Sequence, residues 1–544
     1  MSAITIGNYQ KFKYSMAHQM QPRRRLSAFL AAFLIGSTAQ AASAQQCVYQ
    51  GGASLDISLT GRGLKPTVEG KINGVSVPML IDTGAYRSFL TARFVQKLGI
   101  STQMTSMTVE GVGGEQSIRS AHVKEFTIGG ARPIKSYFLV MGEYANETPY
   151  AVILGADFLL QADLMVDIGQ RFMQFFYPNN CSASAVLFPE ATILEADWHD
   201  YDRRMHVTVK VNGVPMRTLI DTGASYSIID QRAAKKAGIT PAMPNVRPKE
   251  PTSGVGGEDV AAWFVPVAKL EIGNEVQSDI MLEMADIGSP YGENRSDIIL
   301  GTDFLNSYTV LFARSQKKVY LIKNAPLKLV GSESDWAAIN EAHAATGNPG
   351  AMSHLAELLY EGKGVAKDEG RAAKLFAEAA AKGDLTAQMQ LAFEDLATGN
   401  YAKAAASMSV LSAEPGASRK TDLLSFLASA HNGEQEKAKQ DLKTVRQHAK
   451  GKRWPLPVID YLLNDTDEKD LLRLARKQEL SARSRECEAH YFIGHVNWLR
   501  GDTGAARKSF DSALGICEPG QYELRASGAA LKQLDGFGAK AALP

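Results

Sequence analysis

The sequence has no marked excess of either charge: 59 Lys and Arg face 58 Asp and Glu, a formal net charge of +1. It therefore lacks the basic balance expected of a nucleic-acid binder. After the first 44 residues it also lacks any apolar run long enough for a permanent membrane span. The ten histidines are scattered, with no His-Glu-x-x-His or Cys/His metal spacing, and there is no Gly-x-Ser-x-Gly element. No metal and no cofactor are therefore expected. Cysteine is scarce too, with only Cys47, Cys181, Cys487 and Cys517 in 544 residues.

What the chain does have begins at its N-terminus. Arg23, Arg24 and Arg25 precede the apolar run LSAFLAAFLI (26–35), and the small-residue sites Ala39-Gln40-Ala41 and Ala42-Ser43-Ala44 follow. That order is the one of a secretory signal peptide, expected over 1–44, with Met16 and Met20 as alternative starts. Its removal leaves 54 basic against 58 acidic residues. Export, to a bacterial periplasm or to the medium, permits disulfides. Local pairing joins Cys47 to Cys181 and Cys487 to Cys517; four cysteines allow two other connectivities, and four buried thiols are the alternative.

The stretch LIDTGA occurs twice, at 80–85 and 219–224. At that offset of 139, Asn73-Gly74 and Asn212-Gly213 both lie nine residues before the aspartate, each a strong hairpin signal between apolar-rich strands. Further on, VEGVGGEQ (109–116) pairs with TSGVGGED (252–259), and AVILGADFL (151–159) with DIILGTDFL (297–305). Two related all-β units are expected, over 45–185 and 190–327. From about 333 to 540 the composition turns to Ala- and Leu-rich helix. A-x-x-x-L-A recurs at Ala351 and Ala387, and Gly399, Gly433 and Gly501 each precede an alanine by five residues, with Asp467 in the skipped slot. These periods predict stacked helical hairpins that resemble tetratricopeptide repeats, although the stretch near WPLPVIDYLLND departs from the pattern.

Asp-Thr-Gly-Ala, a Gly-rich hairpin and an apolar-apolar-Gly segment, in that order, resemble one half of a retroviral-type (retropepsin-like) aspartic protease, present here twice. The resemblance implies that Asp82 and Asp221 form a catalytic pair, supported by Thr83, Gly84, Thr222 and Gly223. It also implies flap tips at Gly111, Val112, Gly113 and Gly114 and at Gly254, Val255, Gly256 and Gly257. Two facing carboxylates share one proton and activate a water, which is why one chain needs two such turns. Gln116 and Asp259 occupy the last glycine position of G-x-G-x-x-G, so the Gly-rich segments are not phosphate loops. The segments ending in Gly155 and Gly301 are expected behind the turns. Asp157 and Asp303, two residues later, are expected as helix caps rather than catalysts. Tyr86-Arg87 and Ser225-Tyr226 replace the acidic pair usual after Asp-Thr-Gly-Ala.

The expectation is thus an exported aspartic endopeptidase acting on peptide or protein substrates. Its helical region would recruit a protein partner or substrate and supply no chemistry. The alternative is a non-enzymatic peptide-binding scaffold on a degenerate protease fold.

Overall fold

The computed structural model describes residues 48–541, except 112–113, 133, 142–147, 180, 182–185, 199–201, 253–259, 288–294, 328, 415–417, 450–453, 478–481 and 519–520. The expected leader, Cys47, Val112, Gly113 and the second tip at Gly254, Val255, Gly256 and Gly257 lie outside the described residues.

Strands β1 (Val48–Asp56) and β2 (Ser58–Thr60) lead into a hairpin of β3 (Lys65–Ile72) and β4 (Val75–Ile81). Its turn residues, Asn73 and Gly74, have φ of 49° and 83°, the left-handed backbone that a two-residue hairpin turn requires. Then come β5 (Phe89–Thr91), α1 (Ala92–Lys97) and the long hairpin β6 (Thr102–Gly111) and β7 (Gly114–Ile128). The unit closes with β8 (Ile134–Met141), β9 (Val152–Leu154), α2 (Ala156–Leu159) and the hairpin β10 (Asp163–Asp167) and β11 (Phe172–Asn179).

After β12 (Thr192–Asp197) the order repeats. A hairpin of β13 (His206–Val211) and β14 (Val214–Ile220) turns on Asn212 and Gly213, with φ of 50° and 80°. It is followed by β15 (Ile228–Asp230), α3 (Gln231–Lys236), and the hairpins β16 (Arg247–Thr252), β17 (Val260–Ile272) and β18 (Glu275–Ala285). β19 (Ile298–Leu300), α4 (Thr302–Leu305), β20 (Tyr308–Ala313) and β21 (Lys318–Lys323) complete it.

The units are joined through their backbones. A sheet of 13 strands runs β1-β11-β10-β20-β21-β12-β13-β14-β19-β15-β18-β17-β16, and β10 of the first unit pairs antiparallel with β20 of the second, from Leu164↔Phe312 to Asp167↔Thr309. Two buried acids fasten this seam. Asp163 accepts hydrogen bonds from the hydroxyls of Tyr49 (2.7 Å) and Ser315 (2.6 Å), and Asp167 from the Asn324 amide (2.7 Å) and the Thr309 hydroxyl. Neither acid lacks donors, which is what makes its burial tolerable. One apolar core, from Ile57 to Leu321, draws side chains from both units.

The remainder is helical. α5 (Glu333–Ala345), α6 (Pro349–Glu361), α7 (Glu369–Ala381), α8 (Leu385–Ala397), α9 (Tyr401–Ala413) and α10 (Arg419–His431) are each 13 residues long. α11 (Gln435–His448) is followed by the short α12 (Leu456–Leu462) and α13 (Glu468–Ala475), where the sequence period breaks. Then come α14 (Ala482–Leu499), α15 (Thr503–Ile516) and α16 (Tyr522–Ala541).

Gly399, Gly433 and Gly501 end helices at φ of 82–89°, and Asp467 caps α13. The alanines five residues after the glycines, Ala404, Ala438 and Ala506, are buried where neighbouring helices approach. Cys487 and Cys517 are disulfide-bonded and tie α14 to the end of α15. Cys181 is also disulfide-bonded. Among the described residues, no helix is long and apolar enough to cross a membrane.

The helices do not hang free. Leu64 and Val330 share a core with Trp336, Leu355 and Leu358 of α5 and α6, and Asn348 donates to the Leu59 carbonyl at 2.8 Å.

Candidate active site

Each Asp-Thr-Gly turn follows the buried end of a strand. β4 lies parallel to β9 (Met79↔Val152 to Ile81↔Leu154), and β14 lies parallel to β19 (Thr218↔Ile298 to Ile220↔Leu300). The ladders continue into the turns, with the Asp82 amide donating to the Leu154 carbonyl and the Asp221 amide to the Leu300 carbonyl, each at 3.0 Å. The segments ending in Gly155 and Gly301 therefore sit behind the turns. A Cβ on Gly155 would overlap the backbone of Arg87, and one on Gly301 the backbone of Tyr226, so a side chain is excluded at either position.

The two turns meet. A Cβ placed on Gly84 would fall inside the Asp221 carboxylate, and one on Gly223 inside that of Asp82. Each carboxylate thus lies against the opposite turn's glycine, where only a glycine leaves room. Thr83 and Thr222 are buried and interlock. The Thr83 amide donates to the Thr222 hydroxyl (3.0 Å), which donates to the Ile81 carbonyl (2.7 Å). The Thr222 amide donates to the Thr83 hydroxyl (3.1 Å), which donates to the Ile220 carbonyl (2.8 Å). Four buried hydrogen bonds between the units leave neither turn free to shift alone.

Backbone amides hold the carboxylates in place. Ala85 donates to Asp82 at 2.7 Å, while Gly223 and Ala224 donate to Asp221 at 2.7 and 3.2 Å. Burial pushes the Asp82 carboxyl up to about 8, and the neighbouring Asp221 charge pushes the same way; the Ala85 amide and Lys65 oppose them. Two carboxyls in contact with partial burial cannot comfortably both ionise, so the pair retains a proton well above the ordinary carboxylate range.

Asp157 and Asp303 are not helix caps, contrary to expectation. The caps of α2 and α4 are Gly155 and Gly301, neither with a side-chain bond, and the acids sit in the first turn beyond them. Their carboxylates instead accept the hydroxyls of Ser88 and Ser227, each at 2.7 Å. Those hydroxyls in turn accept the amides of Gly155 and Gly301 at 3.0 and 3.1 Å. Each Ser–Asp pair therefore ties the segment after an Asp-Thr-Gly turn to the segment behind it. The signal was present in the sequence, since Ser88 and Ser227 stand at the same offset of 139 as the aspartates.

Lys65 was also missed. It is half-buried at the start of β3, and its ammonium donates to the Gly223 carbonyl, within the electrostatic reach of Asp221 and Asp82. Of the expected tips, the first is a hairpin whose last described pair is Gly111↔Gly114.

A family model described as aspartyl protease matches the chain twice, over residues 68–158 and 207–304. No curated protein matches the sequence. Among solved structures, the crystal structure of conglutin gamma, a basic 7S globulin from lupine seeds, is similar over 50% of this chain and 95% of that one, at 12% identity and a TM-score of 0.28. The same aspartyl protease family model thus matches two stretches of the β region, one around Asp82 and one around Asp221.

Proposed function

We propose that the chain is an aspartic endopeptidase in which Asp82 and Asp221 hydrolyse peptide bonds as a pair. The observation that carries this reading is the contact of each carboxylate with the opposite turn's glycine, locked by the Thr83–Thr222 exchange. With one proton between them, the ionised carboxyl accepts a proton from a water placed between the two. As that water attacks the peptide carbonyl carbon, the protonated carboxyl donates to the carbonyl oxygen. The tetrahedral diol then collapses as a proton passes to the leaving nitrogen, and no bond to the enzyme forms at any stage. Neither aspartate owns the acid or the base role, because the proton belongs to the pair.

The β6–β7 hairpin and its counterpart β16–β17 are the flaps against which an extended substrate would lie. The helical domain recruits or positions protein substrates, and residues 1–44 direct export to an oxidising compartment such as the periplasm. The Cys487–Cys517 bond supports that compartment.

The test is cleavage of a mixed peptide library between pH 3 and pH 8, with Asp82→Asn and Asp221→Asn alongside. Each variant is expected to lose about 10²- to 10⁴-fold in rate, the contribution of a positioned acid or base. Wild-type turnover in either variant would remove the reading.

A further inference from the structure

Lys65 is brought to the two turns by a short segment that the helical domain holds from outside. Between β2 and β3 the chain turns through Gly61, at φ 70°, and Gly63. On the inner side the Ser225 hydroxyl donates to the Gly63 carbonyl at 3.0 Å, and a Cβ on Gly63 would crowd that hydroxyl. On the outer side the start of α6 presses directly on Gly61, so closely that a Cβ on Gly350 would overlap the Gly61 backbone. Asn348 binds the Leu59 carbonyl, Arg62 is ion-paired with Glu357, and Leu64 is buried with Trp336 and Leu355. These four contacts, at Leu59, Gly61, Arg62 and Leu64, lie on one side and leave Lys65 turned to the other, its ammonium on the Gly223 carbonyl.

The charges facing this ammonium are few. Asp82 and Asp221 face it from the two turns, and Tyr150 faces Asp82 from the segment just before β9. Ser225 stands where an acid is usual after Asp-Thr-Gly-Ala, so this turn offers the lysine no carboxylate other than Asp221. Arg62, on the same segment, points away to Glu357. The arrangement is also one-sided. At the offset of 139 the second unit has Arg204, whose guanidinium is taken up by Asp202 through bonds of 2.9 and 2.7 Å.

We propose that Lys65 is a positioning residue for the carboxylate pair: its ammonium favours the ionised member and so moves the single-proton state to lower pH, and the helical domain keeps it in place by gripping residues 59–64. This rests on the reading of Asp82 and Asp221 as a proton-sharing pair. A cation within a few ångströms of a carboxylate lowers its titration point by about 1–3 in pH. The helical domain thereby has a route to the chemistry that does not require any helix residue to touch substrate.

The experiment measures kcat/KM against pH on one fluorogenic peptide for the full chain, Lys65→Met, Lys65→Arg and the double variant Arg62→Ala/Asn348→Ala, with Asp82→Asn as control. Binding of a pepstatin-type inhibitor is followed over the same pH range by calorimetry. Lys65→Met is expected to move both limbs of the profile, and the inhibitor's pH dependence, upward by about 1 or more. Lys65→Arg should keep the wild-type profile, and the double variant should move in the same direction as Lys65→Met while its lysine is intact.

A Lys65→Met profile that keeps its shape, or falls equally at every pH, overturns the proposal. A wild-type profile in the double variant overturns the part played by the helices. Should Lys65→Met not fold, the double variant decides alone, and a wild-type profile there overturns the whole. If the wild type cleaves nothing, or Asp82→Asn cleaves normally, the reading of the pair has failed instead.

Discussion

Asp82 carries a cost that can be read from the outside as a dependence of stability on pH. Its carboxyl titrates about 8 in the folded chain against 3.8 ordinarily, chiefly through burial. Between those values the folded state holds a proton that the unfolded state has released, so this group's contribution to stability is present below about pH 4 and is lost as pH rises towards 8. Asp82→Asn cannot ionise, so urea unfolding of that variant between pH 4 and 8 should show a shallower decline than the wild type. An equal or steeper decline would show that the proton is held elsewhere. The pair itself was legible in the sequence because it is repeated, and so were the threonines and the glycines behind the turns. Ser88 and Ser227 were equally repeated, but serine after a turn has so many ordinary uses that repetition alone gave it no role. Lys65 was out of reach for a different reason. Its partner position holds an arginine bound to Asp202, and only the folded structure, with the ammonium on the Gly223 carbonyl, shows that the lysine is turned inward.

Among the elements, the Asn-Gly hairpins could be read directly, because positive φ at two successive positions leaves little choice of residue. The seam of β10 against β20 could not. Its strands are buried along their whole length, Asp163–Asp167 and Tyr308–Ala313 alike, so they lack the alternation that marks a half-buried strand. The helical hairpins were visible in their glycines, and their alanines follow from close helix approach. The last hairpin, α14 with α15, has a covalent staple that closes a separation of 30 residues. A loop of that size restricts the unfolded chain by an amount worth about 3–4 kcal/mol. Replacing both cysteines by serine should therefore lower the denaturation midpoint of the helical domain while leaving that of the β region within error. Calorimetry of the full chain resolves the two, and an unchanged helical transition would mean that the staple contributes nothing.

At the scale of the whole molecule, the two units are partners within one chain, joined by the β10–β20 ladder and by the Thr83–Thr222 exchange. Co-expressed Asp82→Asn and Asp221→Asn chains should then regain no activity, because neither can lend its intact turn to the other. Recovery in the mixture, checked against each variant alone, would mean that units pair between chains. Joining the halves also released them from having to be alike. Tyr226 is packed on Trp336 of the helical domain, with ring centres 5.1 Å apart, whereas Arg87, its counterpart by offset, is half exposed and pairs with Asp157. Lys65 lies at one turn and has no free equivalent at the other. A polypeptide has a direction, and a cleft with two identical halves accepts it equally well either way round. If the two turns form the floor of a peptide cleft, as proposed above, the unlike surroundings of Tyr226 and Arg87 would let it tell the N-terminal side of a bound segment from the C-terminal side.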